Sequence, residues 1–164
     1  MQIYTNLGMA EARPISEIRP METLRILIAD DHALIRRSLR SLLLTHSNWA
    51  VCGEAVDGQD AIDKARELHP DVVLLDVTMP GMTGLEAAPV IRRDVPDSQV
   101  VIVTQHDSAE LSRRAAAVGA QGFVVKSEIT RDLMPAIEAA DERQRLSRKN
   151  PKTASTTPKK PAIN

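Results

Sequence analysis

At 164 residues, with 43% hydrophobic content, the chain carries enough apolar material for one buried core with extensions. A net charge of -1 excludes a global pull toward nucleic acid or membrane, and a lone cysteine, Cys52, excludes an internal disulfide framework or a Cys-based zinc site. No apolar run approaches the ~20 residues of a membrane span and no signal-peptide core is present, so a cytoplasmic location is expected.

Residues 1–22 have no sustained period and contain Pro14 and Pro20, the pattern of a flexible N-terminal arm. Leu24 to Ala29 reads as a β-branched-rich strand closed by Asp30 and Asp31. A helix over 32–45 follows, with Leu34, Ile35, Leu39, Leu42 and Leu43 on its inner face and Arg36, Arg37 and Arg40 opposite. Only one of two adjacent acids can cap that helix, so the doubled aspartate asks for a second role. Trp49 to Ala55 is a second strand, in which Cys52 is expected as a small buried side chain. Asp57-Gly58 turns into a helix over 59–68, which His69-Pro70 ends.

The uninterrupted apolar run Val72 to Leu75 has the character of a strand buried on both faces, ending in the carboxylate of Asp76 and the loop signal Met79-Pro80-Gly81. Thr83-Gly-Leu-Glu86 has capping-box form, and Pro89 inside the helix it opens predicts a kink or a late start, with Val90 and Ile91 facing inward. Gln99 to Thr104 is another buried strand, closed by a hydroxyl. An Ala-rich helix over 108–118 stops at Gly119, and a fifth strand over 120–126 is closed by Lys126. A last helix over 130–146 has Leu133, Ile137 and Ala140 inside, with Pro135 near its first turn. From Ser147 the chain holds five basic residues, three prolines and no acid, the composition of a disordered basic tail. The expected organisation is therefore an arm over 1–22, a folded domain over 23–146 and a tail over 147–164.

Strand-helix alternation of this kind predicts a doubly wound, flavodoxin-like α/β domain with a parallel five-stranded sheet in the order 2-1-3-4-5. That order brings Asp30, Asp31, Asp76, Thr104 and Lys126 to the carboxyl edge of the sheet, where such folds place their ligands. Clustered carboxylates raise one another's pKa unless a cation neutralises them, and Mg²⁺ suits a few carboxylates, retained waters and a phosphate oxygen. His32 is a lone imidazole, expected at the helix start rather than as a ligand. With a lysine and a hydroxyl beside it, the set suits phosphoryl transfer to a carboxylate.

The motifs Ile28-Ala-Asp-Asp-His32, Val73 to Gly84, Val103-Thr104 and Gly122-Phe-Val-Val-Lys126 resemble those of the receiver domain of bacterial two-component response regulators. The wording is most similar to the subfamily that carries a LuxR-type DNA-binding domain, and the resemblance covers about residues 24–142. It implies that Asp76 is the phospho-acceptor, supplied by a histidine kinase, a phosphotransfer protein or a small phosphodonor. It also implies Mg²⁺ held by Asp31, Asp76 and the Thr78 carbonyl, with Asp30 acting through water. Thr104 and Lys126 would contact the phosphoryl group, Phe123 would be the aromatic switch, and Thr78, Gln105 and His106 would tune phosphoryl lifetime. The implied activity is self-phosphorylation and slow autodephosphorylation rather than enzymatic turnover. A homodimer through the face of helix 4, strand 5 and helix 5 and a downstream protein partner are implied as well.

The chain departs from the family pattern at Gln105, where a small residue or Met is usual, at Phe123 in place of Tyr, and at Pro89. Only 22 residues follow residue 142, too few for a helix-turn-helix unit, so specific DNA readout is not expected, and an output domain is expected to be lost, truncated or never present. Two other readings remain: a pseudo-receiver that binds partners constitutively, and a dehalogenase-type phosphatase, which would need an acid where Thr78 stands.

Overall fold

Five stretches of four to seven residues rich in Val, Ile and Leu cannot stay in water, and their period admits burial on both sides. In the computed structural model they form the strands β1 (Leu24–Ala29), β2 (Trp49–Ala55), β3 (Val72–Asp76), β4 (Gln99–Thr104) and β5 (Gly122–Val125). All pair in parallel in the order β2-β1-β3-β4-β5, as expected. The helices between them are α1 (Ala33–Leu43), α2 (Gly58–Leu68), α3 (Gly84–Asp94), α4 (Ala109–Ala117) and α5 (Ile129–Lys149). The structure describes residues 23–149, and the stretches 1–22 and 150–164, read above as arm and tail, lie outside the described residues.

Alternation along each strand sorts the core into two halves. Leu27, Ala29, Val73, Leu75, Val100 and Ile102 meet the inner faces of α2, α3 and α4, including Ile62, Ile91 and Ala115. Ile26, Ile28, Val72, Leu74, Val101, Val103 and Val124 meet Leu39 and Leu43 of α1 and Leu133, Ile137 and Ala140 of α5. The central strands β3 and β4 are buried at every position, which is why their sequences lack polar alternation. In β2 the pairing partner jumps from Val51 to Gly53 as β1 advances from Ile26 to Leu27, so Cys52 is the extra residue of a bulge. Its half-buried thiol lies 3.4 Å from the Ile26 carbonyl, and burial pushes its pKa up, which leaves it a packing group rather than a thiolate.

Several local expectations need adjustment. Leu34 is 74% exposed instead of facing the core. Arg36, expected on the outer face, is half-buried and donates from Nε to Glu54 Oε2 at 3.1 Å and from Nη1 to the Asp30 carbonyl at 2.8 Å. The α3 helix does not start late: the Thr83–Glu86 capping box is formed, and the helix runs through an exposed Pro89 with Ile91 buried and Val90 partly so. Strand β5 stops at Val125, and Lys126 opens a 3-10 turn to Glu128. The α5 helix continues to Lys149, into the stretch expected to be tail. Pro135 lies in its second turn, and Gln144 is buried against the Asp97 carbonyl at 2.5 Å.

Candidate functional site

The parallel register places the strand ends at one level: Ala29 lies beside Leu75, Asp76 beside Val103, and Thr104 beside Val125. The next residue along β1 is Asp30 and the next along β5 is Lys126, so the carboxyl edge collects Asp30, Asp76, Thr104 and Lys126 from four strands. The Lys126 Nζ lies 2.6 Å from Asp30 Oδ2 and 3.2 Å from Asp76 Oδ1. All three side chains are nearly excluded from solvent, at 6%, 2% and 3% exposure. Thr104 is fully buried, and its Oγ1 accepts from the His106 backbone N–H at 3.2 Å, which leaves the hydroxyl proton free to donate elsewhere.

The sequence offers two adjacent acids, and the structure separates them. Asp30 is buried and its Oδ1 accepts from the His32 N–H at 2.8 Å, tightening the strand-to-helix turn, whereas Asp31 is exposed. Neither caps α1: His32 stands at the N-cap with no side-chain cap bond. Its imidazole still belongs to the site, with Nδ1 2.9 Å from Asp31 Oδ1 and 3.4 Å from Asp30 Oδ1.

Burial is the chief cause that pushes the Asp76 pKa above the ordinary carboxylate value. Lys126 works against it, and the charges of Asp30 and Asp31 add to the rise. Two carboxylates, Asp30 and Asp76, against one ammonium leave one excess negative charge in a dry site, before Asp31 is counted. Asp30 Oδ2 faces the ammonium off the direction that a hydrogen bond requires, so among the described residues this buried oxygen has no hydrogen-bond donor. An excess charge, an oxygen-rich donor set and an under-satisfied buried oxygen fit a hard divalent cation. Ligand atoms of Asp30, Asp31 and His32 already lie within 4.8 Å of one another, and Asp76 is not a member of that trio.

The other expected site residues lie around this centre. Thr78 is exposed on the β3–α3 loop, and Gln105 and His106 are exposed just after β4. Phe123 is partly buried and packs against the core half under α4. The sequence marks neither Gly84 nor Arg36 as a site residue. A β-carbon on Gly84 would stand 2.0 Å from the Asp76 carbonyl oxygen, so this residue lets α3 begin directly beneath β3. Arg36 ties the Asp30 carbonyl to Glu54 on β2, and Arg40 Nε completes the clamp at 2.8 Å from Glu54 Oε1. The only signal for Gly84 in the sequence is a glycine where a helix starts, and for Arg36 there is none.

Among the described residues no helix is long and apolar enough to cross a membrane. Residues 26–138 match the family model for the response regulator receiver domain. The chain is 37% identical over 119 residues to YxjL, a transcriptional regulatory protein of Bacillus subtilis, a match covering 73% of this chain and 55% of that one. It is 38% identical over 122 residues to the response regulator GacA of Pseudomonas viridiflava, covering 74% of this chain and 57% of that one. A solved two-component response regulator of the LuxR family from Aurantimonas superposes with a TM-score of 0.71 at 36% identity, covering 74% of this chain and 87% of that chain. The chain thus spans about half the length of the curated relatives it matches. Fold, site edge and relatives agree: the chain belongs to the response regulator receiver domain family.

Proposed function

We propose that this domain is a phosphorylation switch in which Asp76 accepts a phosphoryl group from a histidine kinase, a phosphotransfer protein or a small acyl phosphate. The observation that carries the reading is the Lys126 ammonium between Asp30 at 2.6 Å and Asp76 at 3.2 Å, at the carboxyl edge of a parallel sheet. A structural lysine would be matched by one carboxylate. Here one cation is shared by two buried acids, and the deficit of positive charge is what a divalent metal would make good before an anionic phosphoryl group arrives.

In this proposal an Asp76 carboxylate oxygen attacks the phosphorus, a P–O bond forms, and the P–N or P–O bond to the donor breaks, with the donor group leaving with the electron pair. Asp30, Asp31, Asp76 and the Thr78 carbonyl would hold Mg²⁺, with His32 beside them. When bound, the ion neutralises the carboxylates and the phosphoryl oxygens as they approach. Lys126 transfers its contact from the carboxylates to a phosphoryl oxygen, and the buried Thr104 hydroxyl donates to another. Movement of Thr104 toward the phosphoryl group opens space on the side of β4 where Phe123 packs, so one new dianionic group biases two packings of the β4–α4–β5 face. Gln105, His106 and Thr78 stand where they would set how readily water reaches the acyl phosphate. A downstream protein would read the altered face, which also offers a surface for self-association, and the domain would work in the cytoplasm.

Intact-protein mass spectrometry after incubation with acetyl phosphate, with and without Mg²⁺, tests the proposal. One added phosphoryl group is expected in the wild type with Mg²⁺ and none in Asp76→Asn. An unmodified mass with small donors and with a cognate kinase alike, or equal labelling of Asp76→Asn, refutes it.

A further inference from the structure

We propose that a cleft at the amino-terminal edge of the sheet, opposite the Asp76 site, binds a phosphate-bearing small organic molecule. The cleft, of about 810 Å³, lies between the end of α3, the α3–β4 loop, the turn before β5 and the last turns of α5, and it is within the size range of small-molecule sites. Its lining holds three arginines, Arg92, Arg143 and Arg148, against one carboxylate, Asp97.

Arg92 carries the inference. Its Nη1 is buried and, among the described residues, has no hydrogen-bond partner. That N–H is closed off from solvent and makes no ligand contact itself, but it shows that no resident acceptor discharges the guanidinium, and Arg92 also lines the cleft. Its position is built in: Gly119 adopts φ +83, and a β-carbon there would stand 2.6 Å from Arg92 Nε. The missing side chain therefore lets the guanidinium lie against the backbone of the α4–β5 turn. Among the described residues its Nη1 has no hydrogen-bond partner of any kind, acidic or neutral.

The second arginine is likewise turned to neutral groups. Arg143 Nη1 donates to the Gln121 carbonyl at 3.2 Å and to Gln121 Oε1 at 3.0 Å, which orients the fork without discharging it. Arg148 faces Asp71 Oδ1 at a long 3.8 Å, an oxygen that also accepts from Gln144 Nε2 at 3.5 Å, while Oδ2 accepts from the Arg25 N–H at 2.8 Å. By contrast, Arg66 and Arg93 pair with Asp94 at 2.5 and 2.7 Å. Planar guanidinium forks from separate segments suit the several oxygens of a phosphate group, which can accept from each without discharging into a resident acid. Pro96 and Leu146, the latter 60% exposed, supply an apolar wall for the organic part of the ligand.

Titration of the ¹⁵N-labelled full chain with ADP in the absence of Mg²⁺, followed by NMR, tests the proposal. Expected are saturable shifts of the Gln121 and Gln144 side-chain amides and of Arg92 Nε–H, with adenosine at least tenfold weaker than ADP. Arg92→Gln and Arg143→Gln should each weaken ADP at least tenfold, and Arg113→Gln on the exposed face of α4 should leave it unchanged. Arg143 is exposed, so its variant keeps the test valid if Arg92→Gln does not fold. The proposal is overturned by no saturable shift at millimolar ADP, by shifts confined to the Asp30, Asp76 and Lys126 edge, or by adenosine binding as well as ADP.

Discussion

Replacing Gly84 by alanine adds one methyl group at the point where α3 meets the end of β3. The new β-carbon would stand 2.0 Å from the Asp76 carbonyl oxygen, 2.8 Å from its carbonyl carbon and 3.1 Å from Leu75 Cγ. An ordinary contact needs ~3.5 Å, so about 1.5 Å of separation must be created between two backbone segments. Neither can yield easily: β3 is hydrogen-bonded on both sides, and the Gly84 N–H is tied to the Val77 carbonyl at 3.0 Å. Overpacking of this kind costs ~1–3 kcal/mol, and backbone partners put it at the upper end. Alanine recovers up to ~1 kcal/mol of helix propensity, less at a first helical position than in an interior. The net expectation is a loss of about 2 kcal/mol, or a urea midpoint lower by about 1 M for a typical slope. Urea unfolding followed by circular dichroism reads it directly. Acetyl phosphate labelling of the folded variant should be slower as well, because the strain falls on Asp76 itself. An unchanged or higher midpoint would refute the reasoning, since propensity would then outweigh the clash.

Two further outcomes test the electrostatics. Lys126→Met leaves Asp30 and Asp76 facing each other without their cation. It should destabilise the metal-free protein by about 3 kcal/mol, with added Mg²⁺ restoring more stability than it adds to the wild type, as measured by urea unfolding with and without the ion. Equal Mg²⁺ increments in the two proteins would count against the shared-cation account. The side-chain hydrogen bond from Arg40, reinforced by Arg36, holds the Glu54 carboxyl below its ordinary 4.5, despite an opposing push from burial. A depressed folded pKa gives stability that is present above the unfolded value and is lost as pH falls through the folded one. The difference between wild type and Glu54→Gln should therefore be full at neutral pH and shrink once the pH drops below 4.5. A difference that persists at low pH would show that the clamp acts through packing alone.

Much of this molecule is legible in its sequence because burial on two faces writes itself as unbroken apolar runs. Val72 to Leu75 and Val100 to Val103 admit little but central parallel strands, and the polar residue that ends each run marks the carboxyl edge. The Thr83–Glu86 capping box could be read for the same reason, since its partners are three residues apart and need no tertiary information. Asp30 and Asp31 are chemically identical neighbours, and no local rule ranks them. Just past the end of β1 the chain buries Asp30 against Lys126, 96 residues later in the turn after β5, and leaves Asp31 at the rim. Leu34 satisfies the helical period and is nevertheless exposed, because a period defines a face but not how far the packing against it extends. Gly84 and Arg36 were silent for a related reason. What they do depends on a backbone oxygen of Asp76 and a backbone carbonyl of Asp30, groups that every residue carries and that only the fold brings within reach. The sequence by itself determined which residues close the strands, and the tertiary structure decided which of those acids shares the buried ammonium.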